Sequence, residues 1–148
     1  MTTPYSVAPG AGRTVEGPAG GPLTFKARAE QTGGTLTVFE NTIAPLDGPP
    51  LHVHANEDEA FYVLEGHLRY LLDGELHDAP AGSFIFIPRT TPHCFQNIGD
   101  RPARVLVLFT HSGMEQFFDR FADQDEGPEA FQTIGAPLGM DVVGPPLR

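Results

Sequence analysis

The sequence predicts an all-β domain that ends in short helices. Its 148 residues include 17 glycines and 15 prolines, so chain reversals are frequent. Between these turns the apolar runs are short, and several alternate apolar with polar side chains, which is the period of a half-buried strand. Only after residue 112 does the apolar spacing become helical. A chain of this length suits one domain with a single hydrophobic core.

The strand predictions begin at residue 23. Residues 23–28 alternate apolar and polar side chains, and residues 35–43 are rich in β-branched and aromatic side chains. Asp73-Gly74 is typical of a type I′ hairpin turn, because both central positions of that turn need a positive φ. The other predicted strands lie between Gly-rich and Pro-rich turns and cover residues 51–54, 60–64, 68–72, 75–78, 83–87, 93–97 and 103–109.

The two ends of the chain differ from this pattern. Residues 1–22 are rich in Gly, Pro, Ala and Thr, and we expect a flexible N-terminal arm; one short strand, or pairing with a neighbouring subunit, are the alternatives. The predicted barrel covers residues 23–112. Residues 113–148 are expected to form a C-terminal helical segment and an irregular tail.

Two helices are predicted in that C-terminal segment. Apolar side chains at i, i+3, i+4 and i+7 predict a helix near residues 113–122, and they are Met114, Phe117, Phe118 and Phe121. A second, weaker helix is predicted to begin at Pro128, because proline suits the first helical position, and to close at Gly135.

Composition excludes several classes of function. A formal net charge of -10 repels phosphate backbones, so we expect no nucleic-acid partner. No basic amphipathic segment is present, and no apolar run approaches the roughly 20 residues that span a bilayer, so no membrane partner is expected. The N-terminus lacks the pattern of a signal peptide, and the single cysteine, Cys94, excludes an internal disulfide. A cytoplasmic protein is therefore expected.

Three histidines and a glutamate carry most of the chemical information. His52 and His54 are two residues apart, so on a strand their side chains share one face. Glu59 lies five residues after His54 and would face the other way on an uninterrupted strand, so a break is expected within residues 55–58. His93 follows 34 residues after Glu59. Three imidazoles and one carboxylate are plausible ligands of a divalent transition metal.

Spacing alone does not choose which of three acids supplies the carboxylate. Glu57 and Asp58 lie in the same polar stretch, and their offsets from His54 do not separate them from Glu59. Glu59 is favoured because it opens the apolar strand at residues 60–64, which would hold its side chain in place.

The same residues resemble the two motifs of the cupin superfamily. In the first motif, His52-Val53-His54 is followed by four residues, Glu59, six residues and Gly66. The second motif is matched in register by Gly82, Pro88, His93 and Asn97. Leu46 and Thr90 stand where the family has glycine. The resemblance covers roughly residues 35–110.

The resemblance implies a double-stranded β-helix, or jelly-roll barrel, with a metal inside. His52, His54, Glu59 and His93 take the ligand positions, and the cofactor is one divalent transition metal among Fe, Ni, Mn, Co, Cu and Zn. The resemblance is to small single-domain, quercetinase-like cupins, and it also implies a homodimer.

Strand alternation predicts the wall of a substrate pocket. Phe61 and Val63 share the parity of Glu59, and Phe95 shares that of His93. Phe84 and Phe86 share one face of their strand, but alternation does not say which one. Apolar and aromatic walls around one metal centre suit a small aromatic or enolisable substrate.

The predicted function is therefore a metal-dependent oxidoreductase, a quercetinase-like dioxygenase that acts on a small molecule. In this interpretation Glu59 is the catalytic residue and serves as a base beside the metal. The alternatives are an isomerase, cyclase or lyase that uses the same metal without O2, and a non-catalytic cupin that binds a small molecule.

Overall fold

The computed structural model describes residues 2–148 and shows two antiparallel sheets that face each other. The eleven strands are β1 (Thr14–Glu16), β2 (Pro22–Ala27), β3 (Leu36–Ile43), β4 (Leu51–His54), β5 (Asp58–Glu65), β6 (His67–Leu72), β7 (Glu75–Pro80), β8 (Phe84–Ile87), β9 (His93–Asn97), β10 (Ala103–Thr110) and β11 (Met140–Gly144). The helices are α1 (Ala29–Thr32), α2 (Glu115–Ala122) and α3 (Ala130–Gly135), with 3-10 turns at Gly127–Glu129 and Ala136–Leu138.

The first sheet has the strand order β1-β2-β3-β10-β5-β8, and the second has the order β11-β4-β9-β6-β7. From β3 to β10 the chain passes repeatedly from one sheet to the other, which is the connectivity of a jelly-roll barrel. The predicted all-β fold with short C-terminal helices is confirmed. None of the helices described for residues 2–148 is long and apolar enough to cross a membrane.

Side-chain alternation places the core between the sheets. Along β3 every second residue is buried, and β10 shows the same period. The Asp73-Gly74 turn has φ values of 48° and 85°, as the hairpin prediction requires. Aromatic rings fill much of the interior, among them Phe39, Phe61 and Tyr70.

The C-terminal tail differs from the prediction of an irregular segment. Met140–Gly144 forms β11 and pairs with β4, so that Met140 lies opposite His54. The strand is short and its partner lies almost 90 residues earlier in the chain, so local pattern gives little sign of it. In the N-terminal segment, Thr14–Glu16 pairs with β2.

One buried carboxylate joins the barrel to the C-terminal helices. Glu115, at the start of α2, accepts hydrogen bonds from the backbone N–H of Ala29 at 2.9 Å and of Gly113 at 2.8 Å, and from the hydroxyl of Thr37. Burial alone would raise the pKa of Glu115, but these donors outweigh it and lower the pKa. Glu115 thus holds α2 against β3 and α1 at one end of the barrel.

We predict that Glu115→Gln destabilises the fold by about 1–3 kcal/mol, because an amide NH2 would face backbone donors that then lose their acceptor. The folded-state pKa of Glu115 lies below its ordinary value of 4.5. Its contribution is therefore complete above that value and is lost as the pH falls through the lower, folded-state value. Urea unfolding across this range should show a weaker acid dependence in the variant. Glu126→Gln, at an exposed position, is the control, and equal stability of wild type and Glu115→Gln would contradict the assignment.

Candidate metal centre

Three imidazoles project into the barrel from the second sheet. His52 and His54 occupy the inward positions of β4, with ring centroids 5.0 Å apart. His93 is the first residue of β9 and lies directly opposite His52 in the strand pairing, with ring centroids 4.3 Å apart. Strand alternation and one cross-strand pair are therefore sufficient to bring the three rings together.

The carboxylate comes from the first sheet. Residues 55–57 leave the strand and carry the chain across, so the predicted break before Glu59 is present. Glu59, the second residue of β5, places its Oε1 at 2.9 Å from Nε2 of His93 and at 3.8 Å from Nε2 of His54. One ligand atom from each of the four residues lies within 4.8 Å of the others, and all four residues are buried.

The neighbouring acids, between which spacing left the choice open, point away from the histidines. Asp58 accepts hydrogen bonds from the backbone and side chain of Arg89. Glu57 is buried, but it lines a separate surface pocket beside His111. Only Glu59 of the three acids faces the histidines.

Backbone carbonyls orient two of the rings. Nδ1 of His52 lies 2.7 Å from the carbonyl oxygen of Pro50, and Nδ1 of His93 lies 2.8 Å from that of Thr91. A carbonyl oxygen only accepts, so Nδ1 of each ring carries the proton, and Nε2 of each ring is directed to the cluster. This support from the backbone is typical of histidines that bind metals.

Burial keeps two of the imidazoles neutral. Desolvation, together with the charge of His93 and His54, holds the pKa of His52 well below 6.5. Desolvation also lowers the pKa of His54 to about 4, against the attraction of Glu59. Desolvation also lowers the pKa of His93, but the hydrogen bond and the charge of Glu59 outweigh this effect and raise the pKa above its ordinary value.

These observations fit a divalent transition metal. Both ring nitrogens of His54 are buried without a hydrogen-bond partner among the described residues, which is costly for a polar group unless something else satisfies them. Two neutral imidazoles and an adjacent carboxylate offer lone pairs to a cation without further deprotonation. The donor set of nitrogen and oxygen suits Fe, Ni, Mn, Co, Cu or Zn and does not select among them. The assignment of the four residues as ligands remains a prediction.

Two strained turns support the cluster. Leu46 has a φ of 67° and Thr90 a φ of 68°, in the left-handed region that favours glycine. The backbone N–H of Thr90 donates to the carbonyl oxygen of His54 at 2.7 Å, and that of Leu46 donates to Asn97 at 2.9 Å. The two positions where the sequence departs from the motif glycines therefore keep the backbone conformation that glycine would adopt.

The cluster opens onto a small cavity of ≈ 40 Å³ with aromatic walls. Phe61 and Phe95, both predicted for this wall, line the cavity. Val63 does not: it is fully buried one inward position further along β5, where Val105 lies opposite it. Strand alternation correctly predicted that Val63 faces the interior, but it did not predict how far along the barrel the side chain lies from the cavity. Phe84 and Phe86 point outward and are exposed.

Several lining residues were not predicted for the cavity. Phe39 and Asn41 lie on β3 at inward positions, and the alternation within residues 35–43 could have indicated both. Further walls come from the C-terminal helices, whose docking the local pattern does not specify, and these residues are Phe117, Phe118 and Phe131.

Phe131 separates this cavity from a larger outer pocket. The outer pocket has a volume of ≈ 560 Å³ and shares Pro18, Pro49 and Phe131 with the cavity. The ring of Phe131 lies 5.6 Å from that of His52 and 5.0 Å from that of Phe117, centroid to centroid. Helix α3 therefore covers the histidines from the outside.

Comparison with known proteins agrees with this arrangement. Residues 39–109 match the family model described as Cupin domain. An uncharacterized protein of Methanocaldococcus jannaschii is 41% identical over 74 residues, which are 49% of this chain and 59% of that protein. Quercetin 2,3-dioxygenase of Bacillus subtilis is 33% identical over 90 residues, which are 61% of this chain and 26% of the enzyme. The match thus spans less than two thirds of either relative.

A solved structure shares the fold. An RmlC-like cupin of Shewanella frigidimarina superposes with a TM-score of 0.64 at 16% sequence identity, covering 78% of this chain and 98% of that one. At this identity the likeness concerns the fold alone.

We predict that the chain, once stripped by a chelator, binds one divalent transition-metal ion and that binding raises the midpoint of thermal unfolding, because a ligand specific to the folded state stabilises it. Removing one donor in His54→Ala should weaken binding at least about tenfold. Elemental analysis after dialysis and thermal melts with added metal would measure both effects. His77→Ala, a half-exposed histidine outside the cluster, is the control, and unchanged metal content in His54→Ala would contradict the assignment.

Proposed function

We propose that this chain, a member of the cupin superfamily through its domain at residues 39–109, is a metal-dependent enzyme for a small aromatic or enolisable substrate, with a quercetinase-like dioxygenase favoured. The observation that carries the proposal is a buried cluster of three histidines and one glutamate at the wall of an aromatic-lined cavity. The sequence similarity to a quercetin 2,3-dioxygenase also supports the proposal of a dioxygenase.

The side chains of the cluster have separate tasks in this proposal. His52, His54, His93 and Glu59 would hold the ion, which when bound would supply a Lewis acid for a substrate oxygen, and Glu59 would be released from the ion to act as the base. Glu59 lines the cavity and its Oε1 lies 2.9 Å from His93, so its carboxylate can accept the hydroxyl proton of an enol or phenol.

The aromatic walls would bind the substrate ring and exclude water. Phe61, Phe95 and Phe109 surround the cluster on the barrel side, and rings of this kind favour stacked or edge-on contacts with a flat aromatic ligand. Exclusion of water strengthens the interaction of a substrate anion with the positively charged centre.

Binding of such a substrate requires the C-terminal helices to move. A cavity of ≈ 40 Å³ has room for only a few water molecules. The outer pocket is much larger, and Phe131 lies between the two. We therefore assign α2 and α3 the role of a lid, with Phe131 as the side chain that must be displaced for access.

We expect the metal-loaded chain to consume a flavonol together with O2, and His52→Ala to reduce the rate at least about 100-fold, because the site then lacks one of its donors. Absorbance of the flavonol and an oxygen electrode would follow the reaction, with His77→Ala as the control for an unrelated histidine. Turnover by a verified metal-free protein would contradict the proposal. Conversion without O2 uptake would favour an isomerase, cyclase or lyase, and tight binding without conversion would favour a binding module.

A homodimer is the second part of the proposal. Four large apolar side chains are exposed on the outer side of the first sheet, at 39% to 65% of their full accessibility, and form what we call the outer patch: Tyr62, Leu64, Phe84 and Phe86. Phe84 lies opposite Tyr62 in the strand pairing, and β8 is the edge strand of its sheet. A contiguous apolar patch at a sheet edge is typical of an interface, and we assign it to a second copy of the chain.

Phe84→Ser/Phe86→Ser is expected to shift the protein from dimer to monomer, because it removes the two most exposed rings of the outer patch. Light scattering after size-exclusion chromatography would measure the mass. Leu76→Ser changes a residue of similar exposure (60%) on the other sheet and should leave the dimer intact. A wild-type protein that remains monomeric at high concentration would refute this assignment.

A further inference from the structure

Glu57 is a buried acidic side chain that the metal centre does not use. It is 4% exposed and lies in the connection between β4 and β5, two residues before Glu59. Its Oε2 is enclosed and has no hydrogen-bond partner among residues 2–148. A carboxylate that loses its hydration without gaining partners destabilises the fold, so its position calls for a physical reason.

The two basic side chains beside Glu57 are engaged elsewhere. Arg89 donates to Oδ1 of Asp58 from Nε at 3.2 Å and from its backbone N–H at 2.9 Å. Nδ1 of His111 donates to the carbonyl oxygen of Ser112 at 2.8 Å. Within residues 2–148, no ion pair joins Glu57 to either of these side chains. Because Asp58 neutralises Arg89, Glu57 leaves an unbalanced negative charge.

The second carboxylate oxygen of Glu57 is the one that reaches a surface pocket. Unlike Oε2, Oε1 is not enclosed, and among the described residues it has no hydrogen-bond donor either. The pocket has a volume of ≈ 460 Å³ and shares no lining residue with the cavity at the histidines. We call it the side pocket, and its walls include Asn56, Glu57, His111, Gln116, Pro137 and Leu138.

The side pocket has the composition of a site for an organic cation. Its volume lies within the range of small-molecule sites, roughly 300–1,000 Å³. Pro137 and Leu138 form an apolar wall opposite the polar side chains. Among residues 2–148, Glu57 belongs to no group of three or more potential metal ligands, so the donor set that holds a metal ion is not present around it. The formal net charge of -10 also favours a positively charged ligand.

We propose that the side pocket binds a small organic amine in its protonated form. The ammonium group donates to Oε1 of Glu57, and the amide oxygens of Asn56 and Gln116 are acceptors for its remaining N–H groups. The carbon skeleton of the amine packs against Pro137 and Leu138. This site is separate from the histidine cluster and does not rest on the proposed function.

Two probes of nearly equal shape test whether the charge is recognised. Benzylammonium carries the positive charge and benzyl alcohol does not, and each is titrated into the full chain at neutral pH while amide NMR shifts are followed. Benzylammonium should shift the amide resonances of Asn56, Gly113 and Gln116 and bind at least about tenfold more tightly than benzyl alcohol, because a hydrogen bond to a carboxylate is stronger when the donor is charged.

Glu57→Gln should remove this preference, because it removes the charge and keeps the shape of the side chain. Glu75→Gln changes an acid on the other sheet whose side chain is 82% exposed, and it should keep the preference. The metal content of both variants should equal that of wild type, which shows that the neighbouring cluster is intact.

The stability of the ligand-free Glu57→Gln variant provides a second readout. Because the substitution removes an unpaired buried charge, the variant should be at least as stable as wild type in urea unfolding. A clear loss of stability would assign Glu57 a structural role and overturn the inference. Equal affinity of wild type for the two probes, or an unchanged preference in Glu57→Gln, would overturn it too. Resonance shifts confined to the outer pocket would place the ligand elsewhere and have the same consequence.

Discussion

The contact between Glu59 and His93 is the interaction on which the rest of the arrangement depends, because it places an ionisable pair between the two sheets. Each charged group loses its hydration on burial, and this desolvation lowers the stability of the fold by several kcal/mol unless hydrogen bonds or opposite charges compensate for it. The barrel supplies some of that compensation, through the 2.9 Å contact itself and through the carbonyl groups behind His52 and His93. It supplies none for His54, whose two ring nitrogens have no partner among the described residues. A cation at the centre would be bound by one ring nitrogen of His54 and would thereby satisfy part of that remaining demand.

The backbone around the cluster shows how firmly this geometry is held. Leu46 and Thr90 adopt the left-handed conformation at an expense of roughly 1–2 kcal/mol each for a residue with a Cβ. Thr90 is held by its hydrogen bond to the strand that carries His54, and Leu46 by its bond to Asn97. The side chain of Asn97 in turn donates to the carbonyl oxygens of Ile43 and Arg101. Strain at these turns is thus compensated by hydrogen bonds, one to His54 at the end of β4 and one to Asn97 at the end of β9 that lies away from His93.

Sequence reasoning predicted the parts of this molecule that depend on local geometry. Two-residue spacing predicted that His52 and His54 share a face, and the odd offset predicted a break before Glu59. Alternation alone does not give the depth of a side chain along the barrel, which is why Val63 was predicted for the cavity and lies in the core instead. Strand β11 depends on pairing with a distant segment, and the docking of Phe131 depends on where two short helices settle. Asn41 was missed because a polar residue in a strand is expected to face water, although its alternation with Phe39 and Ile43 places it on the inward face.

The division between barrel and helices has a functional consequence. The cupin domain at residues 39–109 contains all four residues of the cluster, together with Phe61 and Phe95. Phe117, Phe118 and Phe131, which close the cavity, lie outside that domain, on α2 and α3. The cluster therefore lies within the region that the family model covers, whereas the space above the cluster is bounded by a segment that the model does not cover. Because Glu115 ties α2 to Thr37 on β3, the proposed lid would have a fixed base there, and the motion proposed to admit a substrate would involve mainly α3, where the ring of Phe131 lies beside that of His52.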